Sequence, residues 1–405
     1  MRPPHSRITK RHCIASTLLL LAVTALSGCS TPPRNPIPIE SIRQAEIPDM
    51  PGVRSFADEP RFTQDLIQSV RDEPPGLFRR NPDGTVAYSV LILSGGGQRG
   101  AFGAGFLNGW TKTGTRPTFK AVTGISAGAL IAPFAFLGPD YDPLLKELWT
   151  TIDQKQIART RLSAEALANS RPLAELIARF VTWEVLEAVA AEHKRGRRLY
   201  IGSTHMDAQQ LMIWNMGAIA ATGHPDSLAL FHKIMLASAS IPVFFPPVMF
   251  EVEADGVRYD EMHTDGGTVT QLFFIGATMD LLSARRKLGI KAGGSRLYII
   301  RNGQTEPVPE QIERRLKEIA PRTLNTVIKS QSHGDLIRLY GIARRNKMDF
   351  NYVEVPSSYV KQEKGTFNTI EMNRLFDLGV KTGASKNPWR KKPRFIEELR
   401  AAGVK

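Results

Sequence analysis

Cysteine is scarce in this sequence, with Cys13 and Cys29 the only two in 405 residues. Cys13 lies in an N-terminal segment that has the features of a cleaved signal, so the mature chain would keep one cysteine. One cysteine cannot form an intrachain disulfide or supply a cysteine-based metal site. The fold must therefore rest on apolar packing, and 42% hydrophobic residues is the composition of a globular protein.

A long hydrophobic run is also missing at the N-terminus. The apolar run over 14–26 is too short to span a bilayer comfortably. It follows a basic stretch that ends near Arg11, and it precedes the small residues Ser27 and Gly28. This three-part layout is typical of a secretory signal.

The residues before Cys29 resemble a bacterial lipobox, Leu26-Ser27-Gly28-Cys29. The resemblance implies that residues 1–28 are removed and that Cys29 is diacylated. Two acyl chains would give stable attachment to a membrane. We therefore expect a lipid-anchored protein of the bacterial cell envelope, with Ser30 favouring the outer membrane. An ordinary secreted form and an uncleaved anchor remain as alternatives.

Basic residues exceed acidic residues by 53 to 39, which gives a formal net charge of +14. Such an excess of basic residues can indicate binding to a nucleic acid or to an anionic membrane, or it can indicate no partner at all. We expect no nucleic-acid partner, because no recognisable binding module is present. The densest basic patch, residues 387–394, is expected to be a solvated tail or to touch anionic head groups.

Composition and patterning divide the chain into four parts. Residues 1–28 are the predicted signal, and residues 29–85 the lipidated cysteine with a tether. The tether is predicted to lie outside the core, because residues 30–60 hold seven prolines and almost no apolar period. Residues 86–355 are the predicted catalytic domain, and residues 356–405 a C-terminal helical extension with a basic tail. The oligomeric state stays open.

Short apolar runs alternate with helical stretches after residue 86. The runs predict buried strands, at 87–93, 119–123, 198–203, 248–252, 296–300 and 351–355. Apolar residues spaced as on one helix face occur between Leu173 and Val189 and again between Leu228 and Leu236. This alternation predicts a layered α/β fold around a mostly parallel sheet.

The span 142–193 interrupts the succession of strands. Trp149, Phe180 and Trp183 are apolar residues in it that look exposed. The span is either a lid or wall for an acyl chain, or an insertion with ordinary core packing.

A glycine-rich motif, Gly95-Gly96-Gly97-Gln98-Arg99-Gly100, joins the strand 87–93 to a predicted helix over 101–110. Glycines let backbone amides point into one concavity, which predicts an anion hole at a helix N-terminus. The motif also matches the dinucleotide fingerprint G-x-G-x-x-G, but the acid expected about 20 residues later is missing. A purely structural tight turn is the third interpretation.

The second motif is Gly124-Ile125-Ser126-Ala127-Gly128, between a short strand and an apolar helix. This is the setting in which a strained G-x-S-x-G turn lifts a serine hydroxyl above the sheet edge. Ser126 is therefore the candidate nucleophile. Its alternative role is to cap the following helix.

An acid precedes two glycines in the third motif, Asp265-Gly266-Gly267, which alone would indicate only a turn. A histidine base for Ser126 is not evident among the histidines after the signal, which are His193, His205, His224, His232, His263 and His333. His263 is the one histidine that we keep as a possible supporting residue for Asp265. It lies two positions before Asp265, and residues i and i+2 share a face of an extended segment.

Together the three motifs resemble the patatin-like phospholipase family, whose pattern is G-G-G-x-R-G, G-x-S-x-G and D-G-[GA]. Residues 237–247 are similar to the family's A-S-x-A-x-P-x-x-F-P-P segment, with Ser240 where alanine is usual. Residues 196–207 are similar to its G-R-x-L-x-x-x-x-T-x-x-D strand. The resemblance covers roughly residues 86–384.

The resemblance implies a three-layer α/β/α fold and an acyl hydrolase of the phospholipase A or lysophospholipase kind. It implies a catalytic dyad of Ser126 and Asp265 without histidine, and no cofactor or metal. The amides of Gly95, Gly96 and Gly97 would form the oxyanion hole. The remaining motif residues would support the loops: Arg99, Gly100, Gly124, Gly128, Gly266 and Gly267.

The substrate class implied is a membrane lipid or another acyl ester. Two alternatives remain at this stage. The same acyl-serine could be transferred to an alcohol, which would make the protein an acyltransferase. The chain could also be a non-catalytic envelope lipoprotein that binds lipid.

Overall fold

The computed structural model describes residues 33–78, 81–82, 85–160, 163, 165–274 and 293–396. The predicted signal and Cys29 lie outside these ranges, as does the end of the basic tail. Among the helices in these ranges, none combines the length and the apolar character needed to cross a bilayer.

Eleven strands lie in the described ranges. They are β1 (Arg54–Phe56), β2 (Ser89–Leu93), β3 (Ala121–Gly124), β4 (Arg159–Thr160), β5 (Ala168–Asn169), β6 (Arg198–His205), β7 (Gln210–Asn215), β8 (Val248–Ala254), β9 (Val257–Asp265), β10 (Arg296–Arg301) and β11 (Asp349–Glu354). The six predicted strands are confirmed as β2, β3, β6, β8, β10 and β11.

Eleven α-helices accompany them in the same ranges. They are α1 (Arg61–Arg71), α2 (Gly100–Lys112), α3 (Ala127–Leu137), α4 (Asp142–Thr150), α5 (Gln154–Ile157), α6 (Arg171–Phe180), α7 (Trp183–Lys194), α8 (Met216–Ala221), α9 (Ser227–Ser238), α10 (Leu316–Arg345) and α11 (Thr369–Gly383).

Nine of the strands form one sheet with the order β1-β7-β6-β3-β2-β10-β11. The strands β6, β3, β2, β10 and β11 run parallel to one another. The antiparallel strands β7 and β1 extend the sheet beyond β6, and the hairpin β8–β9 pairs with the second half of β6. The predicted mostly parallel sheet is confirmed.

The parallel strands are buried on both faces, as their continuous apolar runs predict. In β2, Leu91 and Leu93 belong to one core, whereas Val90 and Ile92 belong to the other. Helices such as α2, α3 and α9 cover the first face. Helix α10 covers the second face through Leu336, Leu339 and Ile342. The architecture is therefore a three-layer α/β/α fold.

Residues 33–60, which we call the N-terminal arm, are packed into the domain. Seven of its side chains are buried in the first core, namely those of Ile37, Ile42, Ala45, Ile47, Met50, Val53 and Phe56. Strand β1 of the arm pairs with β7. The prediction of a tether outside the core is thus wrong for these residues. An extended segment that packs on the surface of a domain buries single side chains without a regular period. The packing of the arm was therefore not visible as a pattern in the sequence.

The C-terminal helix α11 packs against α2 with the two backbones in contact. A Cβ atom on Gly105 would lie 2.0 Å from the carbonyl oxygen of Phe376, and one on Gly383 would lie 2.2 Å from that of Phe106. Side chains at these positions would force the helices apart. The predicted C-terminal extension is therefore integral to the helical layer.

Part of the predicted basic tail is packed as well. Trp389 contacts Phe106, Trp110 and Tyr298, with ring centroids 4.8–5.0 Å apart. The backbone of Arg390 exchanges two hydrogen bonds with Tyr352. The expectation of a solvated tail is wrong for these two residues, because tryptophan next to the basic residues supplies an apolar anchor.

The span 142–193 holds helices α4 to α7. Trp149 and Phe180 are buried, at 2% and 3% exposure, whereas Trp183 is 47% exposed. The first two residues are core residues, which supports the core-packing interpretation for this part of the span. The apolar stretch between Leu173 and Val189 is two helices, α6 and α7, rather than one.

Candidate active site

Two neighbouring strands of the parallel sheet, β2 and β3, deliver the first two motifs to one edge. In the pairing of β2 with β3, Leu93 lies beside Gly124, so the glycine-rich loop and the serine turn follow adjacent strand ends. Strand β10 ends beside β2, where Ile300 pairs with Leu93. Carboxyl ends of parallel strands are the usual place for a site in such sheets.

Ser126 occupies a strained turn between β3 and α3. Its φ of 55° and ψ of −124° are unusual for a residue with a side chain. The flanking glycines are required by close contacts. A Cβ atom on Gly124 would lie 2.5 Å from the carbonyl oxygen of Gly128, and one on Gly128 would lie 2.3 Å from that of Leu93. The turn therefore has the backbone geometry of the predicted nucleophile elbow.

Ser238, the last residue of α9, holds this turn in place. The backbone amide of Ser126 donates a 3.0 Å hydrogen bond to the Ser238 hydroxyl. That hydroxyl donates in turn to the carbonyl oxygen of Gly202 in β6 at 2.7 Å. All of these groups are buried, so each bond matters for the position of the elbow.

Asp265 is the last residue of β9 and lies beside β6. Its backbone amide donates to the carbonyl oxygen of Ser240 at 2.8 Å. Its own carbonyl oxygen accepts a 2.9 Å bond from the hydroxyl of Thr204. Ser238 and Ser240 therefore place the two motifs from one short segment. The structure brings Asp265 to Ser126, whose side chain lies close enough to the carboxyl group to lower its pKa.

The Asp265 carboxyl group is buried, and burial raises its pKa from 3.8 to about 7. The nearby Ser126 side chain and the hydrogen bond from the amide of Gly267 act in the opposite direction and lower the pKa. The Gly267 bond is 2.7 Å long. A carboxylate with this pKa can accept a proton near neutral pH.

The glycine-rich loop presents free backbone amides. Among the described residues, no acceptor takes a hydrogen bond from the amides of Gly95, Gly96 or Gly97. Gly97 has a φ of 55°, and the loop leads directly into the N-terminus of α2. Gly95 lies against the nucleophile, since a Cβ atom on it would be 3.1 Å from that of Ser126. Such free amides are suited to bind an oxyanion.

Asn302, which follows β10, fixes the start of this loop. Its amide donates to the Ser94 hydroxyl at 2.8 Å, and its side chain donates to the Ser94 carbonyl oxygen at 2.8 Å. A Cβ atom on Gly96 would lie 2.0 Å from the carbonyl oxygen of Asn302. Glycine at position 96 is therefore required by this neighbouring strand end.

Gln271 lies between the glycine-rich loop and the loop that follows Asp265. Its side-chain amide donates to the carbonyl oxygen of Gly267 at 3.1 Å, and its oxygen would be 2.7 Å from a Cβ atom on Gly95. Its backbone amide donates to Asp335 of α10 at 2.7 Å. Gln271 thus packs the acid loop against the glycine-rich loop.

Arg99 was expected to support the glycine-rich loop. It is exposed, and no hydrogen bond joins its guanidinium group to any described residue. Desolvation and the charge of Arg301 lower the pKa of Arg99. The hydrogen bonds that hold the loop are those between Ser94 and Asn302.

His263 belongs to a separate buried cluster. One ring nitrogen lies 2.9 Å from the Ser203 hydroxyl and the other lies 3.2 Å from the Glu261 carboxylate. Burial lowers the pKa of His263 to about 4, so its ring is neutral near pH 7. Both nitrogens are thus engaged away from Ser126.

The same cluster holds the one group of potential metal ligands in the described part of the chain. Ligand atoms of His205, Glu261 and His263 lie within 4.8 Å of one another. Arg54 forms hydrogen bonds with both carboxylate oxygens of Glu261, so its positive charge already compensates this acid. A cation would have to displace that guanidinium group.

Three positioning residues were not singled out from the sequence. Ser238 lies inside the segment 237–247, so its place in a recognised motif could have drawn attention to it. Asn302 and Gln271 lie outside the motifs. Nothing in their local sequence indicates that tertiary contacts bring them to the loops.

Residues 91–277 match the family model described as patatin-like phospholipase. The chain therefore carries a patatin-like phospholipase domain, which is a lipid acyl hydrolase domain. The structure is also similar to the crystal structure of VipD from Legionella pneumophila, with a TM-score of 0.38 and 12% sequence identity. That similarity covers 76% of this chain and 68% of that chain. No curated protein matches the sequence.

Proposed function

We propose that the chain is a serine lipid acyl hydrolase in which Asp265 activates Ser126. The observation that carries this proposal is that the Ser126 side chain, on its strained turn, lies close enough to a buried carboxylate with a pKa of about 7 to influence that pKa. Two residues with these properties at one sheet edge form a nucleophile and a base.

In the first half of the reaction, the Ser126 oxygen attacks the ester carbonyl carbon while Asp265 takes the hydroxyl proton. The amides of Gly95, Gly96 and Gly97 donate to the oxyanion that forms. When the tetrahedral intermediate collapses, the protonated Asp265 gives its proton to the leaving alkoxide. The products are an alcohol and an acyl-serine.

In the second half, water attacks the acyl-serine and Asp265 accepts a proton from that water. Collapse of the second intermediate releases the fatty acid, and the proton returns to the Ser126 oxygen. The free enzyme is thereby restored. The reaction needs no group besides the dyad, the loop amides and water.

The basicity of Asp265 determines whether a carboxylate can replace histidine. An ordinary aspartate is a weaker base than histidine by about 2.6 pKa units, equivalent to roughly 3.5 kcal/mol. Burial raises the pKa of Asp265 to about 7 and so offsets this deficit. The oxyanion donors contribute about 2.7–4 kcal/mol each in comparable sites.

The experiment that tests this function is fatty-acid release from a short-chain diacylglycerol by purified protein. Ser126→Ala and Asp265→Asn should each lower kcat by at least about 1,000-fold, because the members of such a unit act together. The exposed residues Ser330 and Asp255 offer matched controls, and Ser330→Ala and Asp255→Asn should keep full activity. Near wild-type activity in Ser126→Ala would contradict the proposal. Product analysis with an added alcohol distinguishes hydrolysis from acyl transfer.

We also propose that diacylated Cys29 anchors the protein to the outer membrane. The arm is hydrogen-bonded to the domain from Arg34 onward, and the five residue steps from Cys29 to Arg34 span at most about 18 Å. The catalytic domain would then lie close to the bilayer rather than on a long tether. Labelling of growing cells with palmitate tests this: wild-type protein should carry label in the outer-membrane fraction and Cys29→Ala should not. Unlabelled wild-type protein would contradict the anchor.

A further inference from the structure

Arg301 ends β10 at the same sheet edge as the candidate active site. The order of the neighbouring strands is β3, β2 and β10, and they lead to Ser126, to the glycine-rich loop and to Arg301. Strands lie about 4.8 Å apart, so β3 and β10 are separated by about 10 Å. The bonds between Asn302 and Ser94 fix Arg301 relative to the loop.

The guanidinium group of Arg301 is buried and lacks hydrogen-bond partners. The residue is 5% exposed, and its Nε and Nη1 atoms form no hydrogen bond within the described part of the chain. The nearest carboxylate oxygen belongs to Glu354 on β11, 3.6 Å from Nη1. That carboxylate instead accepts a 2.7 Å hydrogen bond from the amide of Thr305. Buried donors without acceptors are costly and uncommon.

Two more cations lie close to Arg301. They are Arg99, after the glycine-rich loop, and Lys329, on the first half of α10. Burial lowers the pKa of Lys329, and the charges of Arg301, Arg99 and Arg322 lower it further, with Glu354 acting in the opposite direction. Arg99 is exposed and Lys329 is half-buried, so these side chains lie on the outer side of Arg301.

Positive charges outnumber negative charges around Arg301. Arg322 is paired with Glu310, whereas Lys329 donates only to the backbone oxygen of Glu306. The Glu306 carboxylate is paired with Arg394, so Glu354 is the carboxylate that the described residues place beside Arg301 and Lys329. An excess of positive charge around a guanidinium group that forms a long ion pair but no hydrogen bond favours an anion, and guanidinium matches the geometry of phosphate.

We propose that Arg301 and Lys329, with Arg99 beside them, form a subsite for a phosphate group. The anion would accept hydrogen bonds from the guanidinium nitrogens that have no partner in the described structure. It would also relieve the repulsion among the three cations. A phosphate in this subsite lies next to the glycine-rich loop and outside the dyad.

The source of this phosphate is the head group of a glycerophospholipid, an inference that rests on the proposed acyl hydrolase function. In such a lipid only a few covalent bonds separate the ester carbonyl from the phosphate. A carbonyl at Ser126 therefore places the phosphate within reach of the neighbouring strand ends. The subsite would thus favour phospholipids over uncharged acylglycerols.

The first test is a binding measurement that does not depend on catalysis. Inorganic phosphate is titrated into full-length wild-type protein, Arg301→Gln, Lys329→Gln and the control Arg344→Gln by calorimetry. Arg344 is an exposed arginine fifteen residues beyond Lys329 on α10, or about 22 Å along the helix. We expect Arg301→Gln and Lys329→Gln to weaken phosphate binding at least tenfold and Arg344→Gln to leave it unchanged.

The second test compares two substrates that differ only in the head group. Dihexanoyl phosphatidylcholine, below its micelle concentration, is compared with dihexanoylglycerol. Arg301→Gln should lower kcat/KM for the phospholipid about tenfold and leave that for the neutral lipid unchanged, and Arg301→Lys should recover part of the loss. Because the phospholipid is zwitterionic, a general effect of protein charge on binding is avoided.

The outcomes separate this proposal from the function on which it rests. Equal phosphate binding by wild type and both subsite variants would overturn the subsite. A change in phosphate binding with no change in substrate preference would assign the subsite to free phosphate and overturn the head-group inference. Absence of hydrolysis of both lipids would contradict the proposed function, and the calorimetry would still decide whether the phosphate subsite exists.

Discussion

Arg54 and Glu261 form a two-pronged ion pair in the interior, with 2% and 0% side-chain exposure. Arg54 belongs to β1 of the N-terminal arm, and Glu261 lies four residues before Asp265 on β9. Burial alone would raise the pKa of Glu261, but the nearby ring of His205 and the hydrogen bonds with His263 and Arg54 hold it below its usual value. The arm thus neutralises a buried acid on the strand that carries Asp265.

Removal of Arg54 should destabilise the protein strongly. Arg54→Met leaves the Glu261 carboxylate buried without its cation, which typically costs about 3–5 kcal/mol. Urea unfolding measures this loss. Arg43→Met is the matched control, because Arg43 pairs with Asp58 at the surface of the same arm, and exposed pairs contribute at most about 1 kcal/mol. Equal losses in the two variants would contradict the role of the buried pair.

Ser238→Ala should impair both stability and catalysis. The variant leaves the buried amide of Ser126 without an acceptor, at a cost of about 1–3 kcal/mol. It also frees the turn that aims the nucleophile, so kcat should fall while KM changes little. Thermal unfolding and steady-state hydrolysis measure the two effects, with Ser330→Ala as the control. A wild-type kcat in folded Ser238→Ala would show that the turn holds its geometry unaided.

Two glycine-to-alanine changes should have opposite effects. Gly105→Ala places a methyl group 2.0 Å from the carbonyl oxygen of Phe376 and should destabilise by about 1–3 kcal/mol through forced separation of α2 and α11. Gly341→Ala lies on α10 with nothing within 4 Å of the new methyl group. It should stabilise by about 0.5–1 kcal/mol. Chemical denaturation measures both, and stabilisation by Gly105→Ala would contradict the close packing.

The burial of Asp265 should make stability depend on pH. Because the folded protein raises the pKa of Asp265 from 3.8 to about 7, the folded state binds more protons than the unfolded state between these values. This group's contribution to stability therefore falls as pH rises from 4 to 7. Its full effect is at most about 4 kcal/mol, at 1.36 kcal/mol per pKa unit.

Asp265→Asn removes this cost while keeping the shape of the side chain. The variant should gain stability relative to wild type as pH rises from 5 to 8. Denaturant unfolding at both pH values measures the difference, and Asp255→Asn, an exposed change, should show none. A stability difference between wild type and Asp265→Asn that is independent of pH would mean that the carboxyl group keeps an ordinary pKa.

The sequence was sufficient for the central layers of the fold. Strands β2, β3 and β10 are short apolar runs buried on both faces, so their composition marks them. The antiparallel strands β7 and β9 were not predicted. Strand β9 is rich in acids and polar residues, and its polar side chains are satisfied by contacts with Arg54 and Ser203. Such contacts are made by the tertiary structure and leave no periodic pattern.

The motifs likewise predicted which residues lie together at the site. They did not predict the residues that fix the positions of the site loops. Ser126 and Asp265 were expected together, and the structure brings them together. Asn302 and Gln271 are distant in sequence from the loops that they fix. Arg301 is similar, since it reads as the end of an apolar strand. Its lack of partners is visible only in three dimensions.

In the proposed mechanism Asp265, and not a histidine, deprotonates Ser126. The most direct measurement is the rate at which a fluorophosphonate labels Ser126 between pH 5 and pH 9, with the modified residue identified by mass spectrometry. The rate should rise about tenfold per pH unit to a plateau with a midpoint near the Asp265 pKa of about 7. Asp265→Asn should abolish labelling, whereas His263→Gln should keep the profile of wild type. Undiminished labelling of folded Asp265→Asn, or loss of labelling in folded His263→Gln, would contradict the account.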